Sequence, residues 1–467
     1  MPFDPAYADF VQSYPLYDTT HDIDELRQRE YARLDRLGHI YLDYTGGGLY
    51  AESQIRQHHT LLDENVFGNP HSSNPTSQAV TRMIESAREY VLQFFNASPE
   101  EYVVIFTQNA SGALKLVGES YPFGQGCHYL LTFDNHNSVN GIREFAHAKG
   151  AQVTYIPVAL PDMRVDEGQL DSFLDLAEGG CFNLFAYPAQ SNFSSVQPPL
   201  EWIERAQAKG WDVLLDAAAF VPTNRLDLSA VQPDFVPVSF YKMFGHPTGV
   251  GALLARRDKL AKLHRPWFAG GTITVASVQS DKYYLADAPS AFEDCTLDYL
   301  NIPAVEIGLK HIERIGYKVT HERVRCLNGW LLDKLTVMKH SSGEPLVRVY
   351  GPVTTRARGG AVTVNFFDKD GRPIDHRFIE QEANKVNISL RTGCFCNPGA
   401  GEVALGISKP ELAACFSSPG HDQRLSLDDF RLCIDGKASG AVRVSVGLVS
   451  NFEDVQRFLE FAEGLLD

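Results

Sequence analysis

The chain has 467 residues, 44% hydrophobic and 21% charged, the composition of an ordinary globular protein long enough to bury a large core without disulfide staples. Its formal net charge of -16 argues against nucleic-acid binding, which needs clustered Lys and Arg, and no apolar run approaches the ~20 residues that span a bilayer. The opening MPFDPAYADF lacks the basic start and apolar core of a secretory leader, so Cys127, Cys181, Cys295, Cys326, Cys394, Cys396, Cys415 and Cys433 are expected as free thiols of a soluble, cytoplasmic protein.

Residues 1–37 contain a charged helical pattern, DIDELRQREYARLDRLG, closed by Gly38, and are expected to pack on the C-terminal part of the chain. A short strand, HIYLDY, then runs into Gly46, Gly47 and Gly48. Over 75–97, Met83, Ile84, Ala87, Tyr90, Val91 and Phe94 fall at helical spacing. From about 100 to 260, the strands EYVVIFT, HYLLTFD, QVTYIPV, FNLFAYP, DVLLDAA and DFVPVSF alternate with helical stretches such as SGALKLVGESY and LEWIERAQAKG. That alternation predicts a mostly parallel sheet with helices on both faces, and ligands bind outside the carboxyl ends of such strands. After about 300 a helix over 303–315 leads into a shorter α+β region that ends in the amphipathic EDVQRFLEFAEGLL. The chain therefore divides into a large domain, 38–300, and a small one, 301–467, with 401–440 read as an irregular surface excursion.

Five places carry candidate chemistry. In VVIFTQNASGALKL a strand turns into a helix near Ser111, so the N–H groups around Asn109, Ala110, Ser111 and Gly112 are suited to an anion. His136 follows the strand HYLLTFD, and a lone His there is more often an ordinary surface residue than a catalytic one. Asp216 ends a very apolar strand, where a carboxylate is costly without a cation or donor, and a protonated pyridine nitrogen is one suitable partner. Lys242 lies just past another strand, flanked by Ser239 and Tyr241, where partial desolvation disfavours the ammonium and makes a nucleophilic amine.

The fifth place is LRTGCFCNPGAGE. Arg391 beside Cys394 and Cys396 favours a thiolate, and Gly393, Pro398 and Gly399 suit a loop that swings into a cleft. The alternatives are a pair of structural thiols or half of a zinc site, but no second pair with ligand spacing follows, so no metal is expected.

The order of phosphate turn, His, Asp and Ser-x-x-Lys resembles the fold-type-I PLP enzymes, specifically the class-V aminotransferase and cysteine desulfurase family. YLDYTGGGLY, FGNPHSSNP, YPAQSNFS, VLLDAAAFVPTN, SFYKMFGHPTGVGALL, LRTGCFCNPGA and DGKASGAVRVSVGLVSNFEDV are most similar to the N-terminal, desulfurase-like domain of molybdenum cofactor sulfurases, from about residue 38 onward. The resemblance implies an α/β, PLP fold-type-I architecture: a mostly parallel seven-stranded sheet flanked by helices, plus a smaller α+β domain. It implies pyridoxal 5'-phosphate, with Lys242 as the Schiff-base lysine, Asp216 on the pyridinium nitrogen, His136 stacked on the ring and Asn192 near the cofactor hydroxyl. Ala110, Ser111, Ser239 and Tyr241 are implied in the phosphate cup. Thr272 is implied to reach the phosphate of a partner subunit, hence a homodimer.

The same resemblance implies Arg443 on the substrate carboxylate, Arg391 near the active cysteine and Cys396 as nucleophile. The implied reaction takes sulfur from L-cysteine, leaving alanine and a Cys396 persulfide for an acceptor: a separate protein, a molybdenum cofactor or a sulfur carrier. A transaminase or C–S lyase of the same fold, and a sulfur-relay partner without PLP catalysis, stay open. Gly401 stands where the family leads one to expect Cys, Cys295 where it has Gly, and Ala219 where many desulfurases have Gln. Full-length sulfurases carry a further C-terminal domain, whereas this chain reaches Asp467 just after the small domain, which leaves the acceptor and the role of Cys394 open.

Overall fold

The computed structural model describes residues 5–418, 424–426, 429, 430, 433 and 439–467. Runs of β-branched and aromatic residues that are apolar on both faces form a seven-stranded central sheet. Its spatial order is Tyr102–Thr107, Gly251–Arg256, Phe235–Ser239, Trp211–Asp216, Asn183–Pro188, His128–Thr132 and Gln152–Ile156. Six strands point the same way, and Gly251–Arg256 runs antiparallel between its two neighbours. A sheet buried on both faces needs cover on both, which is why its strands read as continuous apolar runs. One side packs on Ile84, Val91, Trp202, Leu309 and their neighbours, the other on Leu114, Val117, Ile142 and Leu260.

Local signals set the helices. Asn74 caps Pro75–Phe94 by accepting from the Ser77 N–H at 2.9 Å, and Pro75 occupies the first turn, where its missing N–H costs nothing. Asn109 caps Ala110–Ser120 in the same manner, through the Gly112 N–H at 3.0 Å. The strand Gly251–Arg256 was not among the strands expected from sequence. Its first residue has to be glycine: a Cβ at Gly251 would lie 2.6 Å from the Asn109 Cα, so this strand runs directly beneath the turn before that helix.

The second sheet has four antiparallel strands in the order Val347–Tyr350, Ala361–Phe366, Ala441–Ser445 and Arg391–Gly393. Ile40–Tyr41 pairs in parallel with Ile388–Ser389. N-terminal residues join the core behind this sheet: Phe10 and Tyr17 pack with Trp330 and Phe452, and buried Arg27 pairs with Asp454 at 2.5 Å.

Two expectations are corrected. Part of 401–440 is helical, since Pro398–Leu405 and Lys409–Phe416 are helices, and the rest of that stretch lies largely outside the described residues. The second helix opens with a capping box, Ser408 and Glu411, with Pro410 in its first turn. The eight cysteines are not all free: Cys415 and Cys433 form a disulfide, their Cα atoms 5.3 Å apart, and the other six are free thiols. That pairing depends on how the excursion folds back, which spacing alone does not determine. Among the described residues no helix is long and apolar enough to cross a membrane.

Candidate active site

A cavity of about 180 Å³ opens at the carboxyl ends of the parallel strands. Ala110, Ser111, His136, Asn192, Asp216, Ser239, Tyr241 and Lys242 all line it, together with Asn109, Ser138, Gln190 and Ala219. Strand ends deliver most of them: Asp216 terminates one strand and Ser239 the next, and Lys242 sits on the short helix Phe240–Phe244 that follows. The glycine run 46–48 closes on this helix, with the Gly48 N–H donating to the Tyr241 carbonyl at 3.0 Å. A Cβ on Gly48 would lie 2.8 Å from the Lys242 carbonyl oxygen, so no larger residue fits there.

At one end of the cavity the helix Ala110–Ser120 presents its N-terminus. The Ala110 N–H donates to Ser239 Oγ at 2.9 Å, and the Ser111 and Ser138 hydroxyls share a hydrogen bond at 2.6 Å. Three hydroxyls and a helix N-terminus make an anion cradle. Ser138 is an addition that sequence reading missed, because it belongs to the short turn capped by His136.

At the other end stand Lys242, Asp216 and His136. Burial pulls the Lys242 amine below its ordinary value, partly offset by the Asp216 charge and by Cys396, and reinforced by Arg443. His136 is likewise held below its ordinary value by burial, against the Asp216 charge and with help from Lys242. Its Nδ1 accepts from the Ser138 N–H at 3.1 Å, which leaves the proton of the neutral ring on Nε2. Asp216 Oδ1 accepts from the Ala218 N–H at 3.1 Å.

The cysteine loop lies against this cavity. Cys394 and Cys396 are exposed, whereas Phe395 between them is buried in a cluster with Phe193 and Tyr350. The Arg443 guanidinium lies over the Phe395 ring, 4.8 Å from its centre. The Cys396 carbonyl accepts from the Asn137 N–H at 2.6 Å and the Phe395 carbonyl from Asn192 Nδ2 at 2.7 Å, so the loop is tied to segments on both sides of the cavity.

Arg443 is buried and donates to the Asn192 carbonyl at 2.8 Å and to Asp43 at 3.1 Å, while its Nε has no partner among the described residues. Burial brings this guanidinium down to about 10. Arg391 donates to Asp43 from Nε at 3.0 Å and Nη2 at 2.5 Å, so its charge is directed at a carboxylate rather than at a sulfur. Thr272 does not line the cavity of its own chain, and its hydroxyl is held by Ala269. A larger depression of about 540 Å³ contains none of the residues singled out as catalytic or substrate-binding. Among the described residues no group of three or more His, Cys, Asp or Glu is arranged to hold a metal ion.

The family model described as "Aminotransferase class-V" matches residues 40–458. The chain belongs to the class-V aminotransferase family. Among curated relatives, it is 37% identical to the molybdenum cofactor sulfurase of Solanum lycopersicum, covering 97% of this chain and 58% of that protein. It is 39% identical to that of Bos taurus, covering 94% and 51%. The chain thus spans between half and three fifths of the length of these relatives.

Among solved structures, the apo cysteine desulfurase of Thermococcus onnurineus NA1 superposes with a TM-score of 0.75 at 23% identity, covering 95% of this chain and 98% of that one. The Escherichia coli cysteine desulfurase CsdA gives 0.72 at 18% identity, covering 95% and 99%. A C-DES variant with glycine covalently linked to its PLP cofactor gives 0.69 at 19% identity, covering 94% and 98%. These likenesses establish the fold, with its mainly parallel large sheet flanked by helices.

Proposed function

We propose that the chain is a PLP-dependent cysteine desulfurase that loads sulfur onto Cys396 for transfer to a molybdenum cofactor or a sulfur carrier. The observation that carries this reading is the convergence of Lys242, Asp216, His136 and the Ala110–Ser111–Ser239 cradle on one cavity that the Cys396 loop adjoins. The donor set fits the cofactor. The hydroxyls and helix N-terminus suit its phosphate, Asp216 its ring nitrogen, His136 its ring face and Lys242 its aldehyde carbon. When bound, PLP supplies an electron sink for charge that builds on the substrate Cα.

The chain's own groups divide the remaining work. Lys242 Nζ, its pKa lowered by burial, takes the proton from the substrate Cα. Arg443, held against the Asn192 carbonyl beside the cavity, is the cation for the substrate carboxylate. Cys396 Sγ attacks the substrate sulfur: an S–S bond forms, the Cβ–S bond breaks with its electron pair staying on carbon, and a proton there completes alanine. The Cys396 thiol and cysteine thus become a persulfide and alanine, with no outside oxidant.

Thr272, absent from its own cavity, serves the phosphate of a second copy in a homodimer. The hairpin Ile273–Ser277 and Lys282–Leu285 beside it exposes Val275, Val278 and Tyr284, which that copy would help to cover. The division near residue 300 belongs to the same reading, with the Cys394/Cys396 loop carried by the small domain and the cofactor by the large one.

The test is mass spectrometry of the holoprotein after incubation with L-cysteine. One added sulfur on Cys396 with stoichiometric alanine is the expected result. Pyruvate and ammonia would make it a C–S lyase, and dependence on a keto acid a transaminase.

A further inference from the structure

Asp134 lies just past the strand His128–Thr132 and is buried, 4% exposed. Burial pushes its pKa above the ordinary carboxylate value, against three hydrogen bonds that favour the charged form. Those bonds come from two distant segments. Ser191 Oγ donates to Oδ1 at 2.8 Å and Ser194 Oγ to Oδ2 at 3.1 Å, while Asn397 Nδ2 donates to Oδ1 at 2.5 Å.

Each donor leads to the site. Ser191 Oγ also accepts the N–H groups of Phe193 at 3.0 Å and Ser194 at 2.9 Å, which fixes the turn bearing Asn192. Asn192 in turn holds the Phe395 carbonyl with Nδ2, takes a hydrogen bond from Asn397 at 2.9 Å on Oδ1, and offers its own carbonyl to Arg443. Asn397 immediately follows Cys396 and caps the helix Pro398–Leu405 through the Ala400 N–H. The backbone between these ties is costly to hold: Phe395 and Cys396 both have positive φ, 54° and 56°. Left-handed conformations in consecutive non-glycine residues persist only where the surroundings over-determine them.

We propose that Asp134 is a positioning residue that, through Asn397 and the Ser191–Ser194 turn, holds the Cys396 loop in a strained conformation against the cavity. The inference rests on the desulfurase reading for its kinetic consequence but not for its structural one. Asp134 does not line the cavity. It sets where the Cys396 sulfur stands relative to Lys242, and it couples that placement to Arg443 through Asn192.

Three variants test this. Asp134→Asn keeps the size but turns an N–H toward a donor. Asn397→Asp keeps the cap on Ala400 but loses both donations. The pair D134N/N397D restores one donor and one acceptor across the contact. In the apoprotein, hydrogen exchange at the Asn137 amide, which reports its bond to Cys396, should speed by about tenfold in each single variant and recover in the pair. In the holoenzyme, kcat for alanine should fall about 100-fold, with a much smaller change in KM for cysteine through Asn192 and Arg443, because the main loss is one of geometry at the sulfur. Exchange that stays at the wild-type rate in both single variants overturns the proposal, as does a KM change without a kcat change. If Asp134→Asn does not fold, Asn397→Asp reads the same contact from the loop side. A wild-type holoenzyme that makes no alanine from cysteine defeats the desulfurase reading alone, and the exchange arm still decides whether Asp134 holds the loop.

Discussion

Arg391 and Arg443 stand directly opposite each other on neighbouring antiparallel strands, and the Asp43 carboxylate lies between their guanidinium groups. Like charges facing across a strand pair repel. Here Arg391, held above its ordinary value by its hydrogen bonds to Asp43, and the buried Arg443 share a single anion. Asp43 itself is fixed by pairing with Ser445, two residues beyond Arg443.

Removing that anion should therefore be expensive. Asp43→Ala leaves Arg443 buried without its counter-charge and should cost about 3–5 kcal/mol, the scale for breaking one side of a buried pair. Arg391→Ala in the same background should recover part of the loss by removing the repulsion, while Arg391→Ala alone, at an exposed side chain, should cost about 1 kcal/mol or less. Denaturant unfolding of the three proteins checks this. Additive losses in the double variant would mean that Asp43 does not mediate between the arginines.

His136 provides an electrostatic test of the cavity without any cofactor. Burial is the main reason its imidazole titrates low, the Asp216 charge opposes this, and the Lys242 charge adds to it. Lys242→Ala removes a neighbouring cation, so His136 should titrate at higher pH than in the wild type. Asp216→Asn removes the anion and should move it lower. NMR titration of the apoprotein reads both directions, and shifts of the same sign in the two variants would contradict the arrangement of these groups around one cavity. With cofactor added, Lys242→Ala should also lose activity by at least about 100-fold under the proposed desulfurase reading, which assigns its amine as the base.

How far these features could be read from sequence depends on how local they are. The strands that end at Asp216 and Ser239 announce themselves as apolar runs, and the helix Pro75–Phe94 by its spacing. The helix Lys409–Phe416 was equally legible through Ser408 and Glu411, and was passed over because the composition around it looks irregular. Asp43 and Asp134 were not legible. Each is an ordinary acidic residue near a strand until Arg391 and Arg443, or Ser191, Ser194 and Asn397, arrive from far along the chain. The strand Gly251–Arg256 was absorbed into the segment following Lys242, since a short apolar run carries no sign of its antiparallel direction.

Gly399 tests the same loop by sterics alone. It sits in the first turn of the helix Pro398–Leu405, and a Cβ there would lie 2.1 Å from the Phe133 carbonyl oxygen, one residue before Asp134. Gly399→Ala must push this helix away and draw Asn397 off Asp134. Despite the better helix propensity of Ala, the change should destabilise by about 1–3 kcal/mol, as overpacking does. It should also accelerate exchange at the Asn137 amide. A more stable Gly399→Ala protein would show that the helix has room to move.

His311 predicts how stability responds to acid. It is 3% exposed on the helix Ile302–Ile315, with Nε2 3.0 Å from the Tyr31 hydroxyl. Burial, reinforced by Arg314, brings its imidazole from 6.5 down to about 4. The unfolded chain therefore binds a proton at this residue as pH drops through 6.5, whereas the folded chain resists until pH falls to about 4. Stability should decline across that interval as the solution is acidified, by up to roughly 3 kcal/mol from this group, and the contribution should level off below it. His311→Gln carries no titrating proton, so its urea-unfolding free energy should lack this part of the slope. If both proteins lose stability in parallel between those two pH values, the imidazole is not held neutral and its burial against Tyr31 is not what the fold maintains.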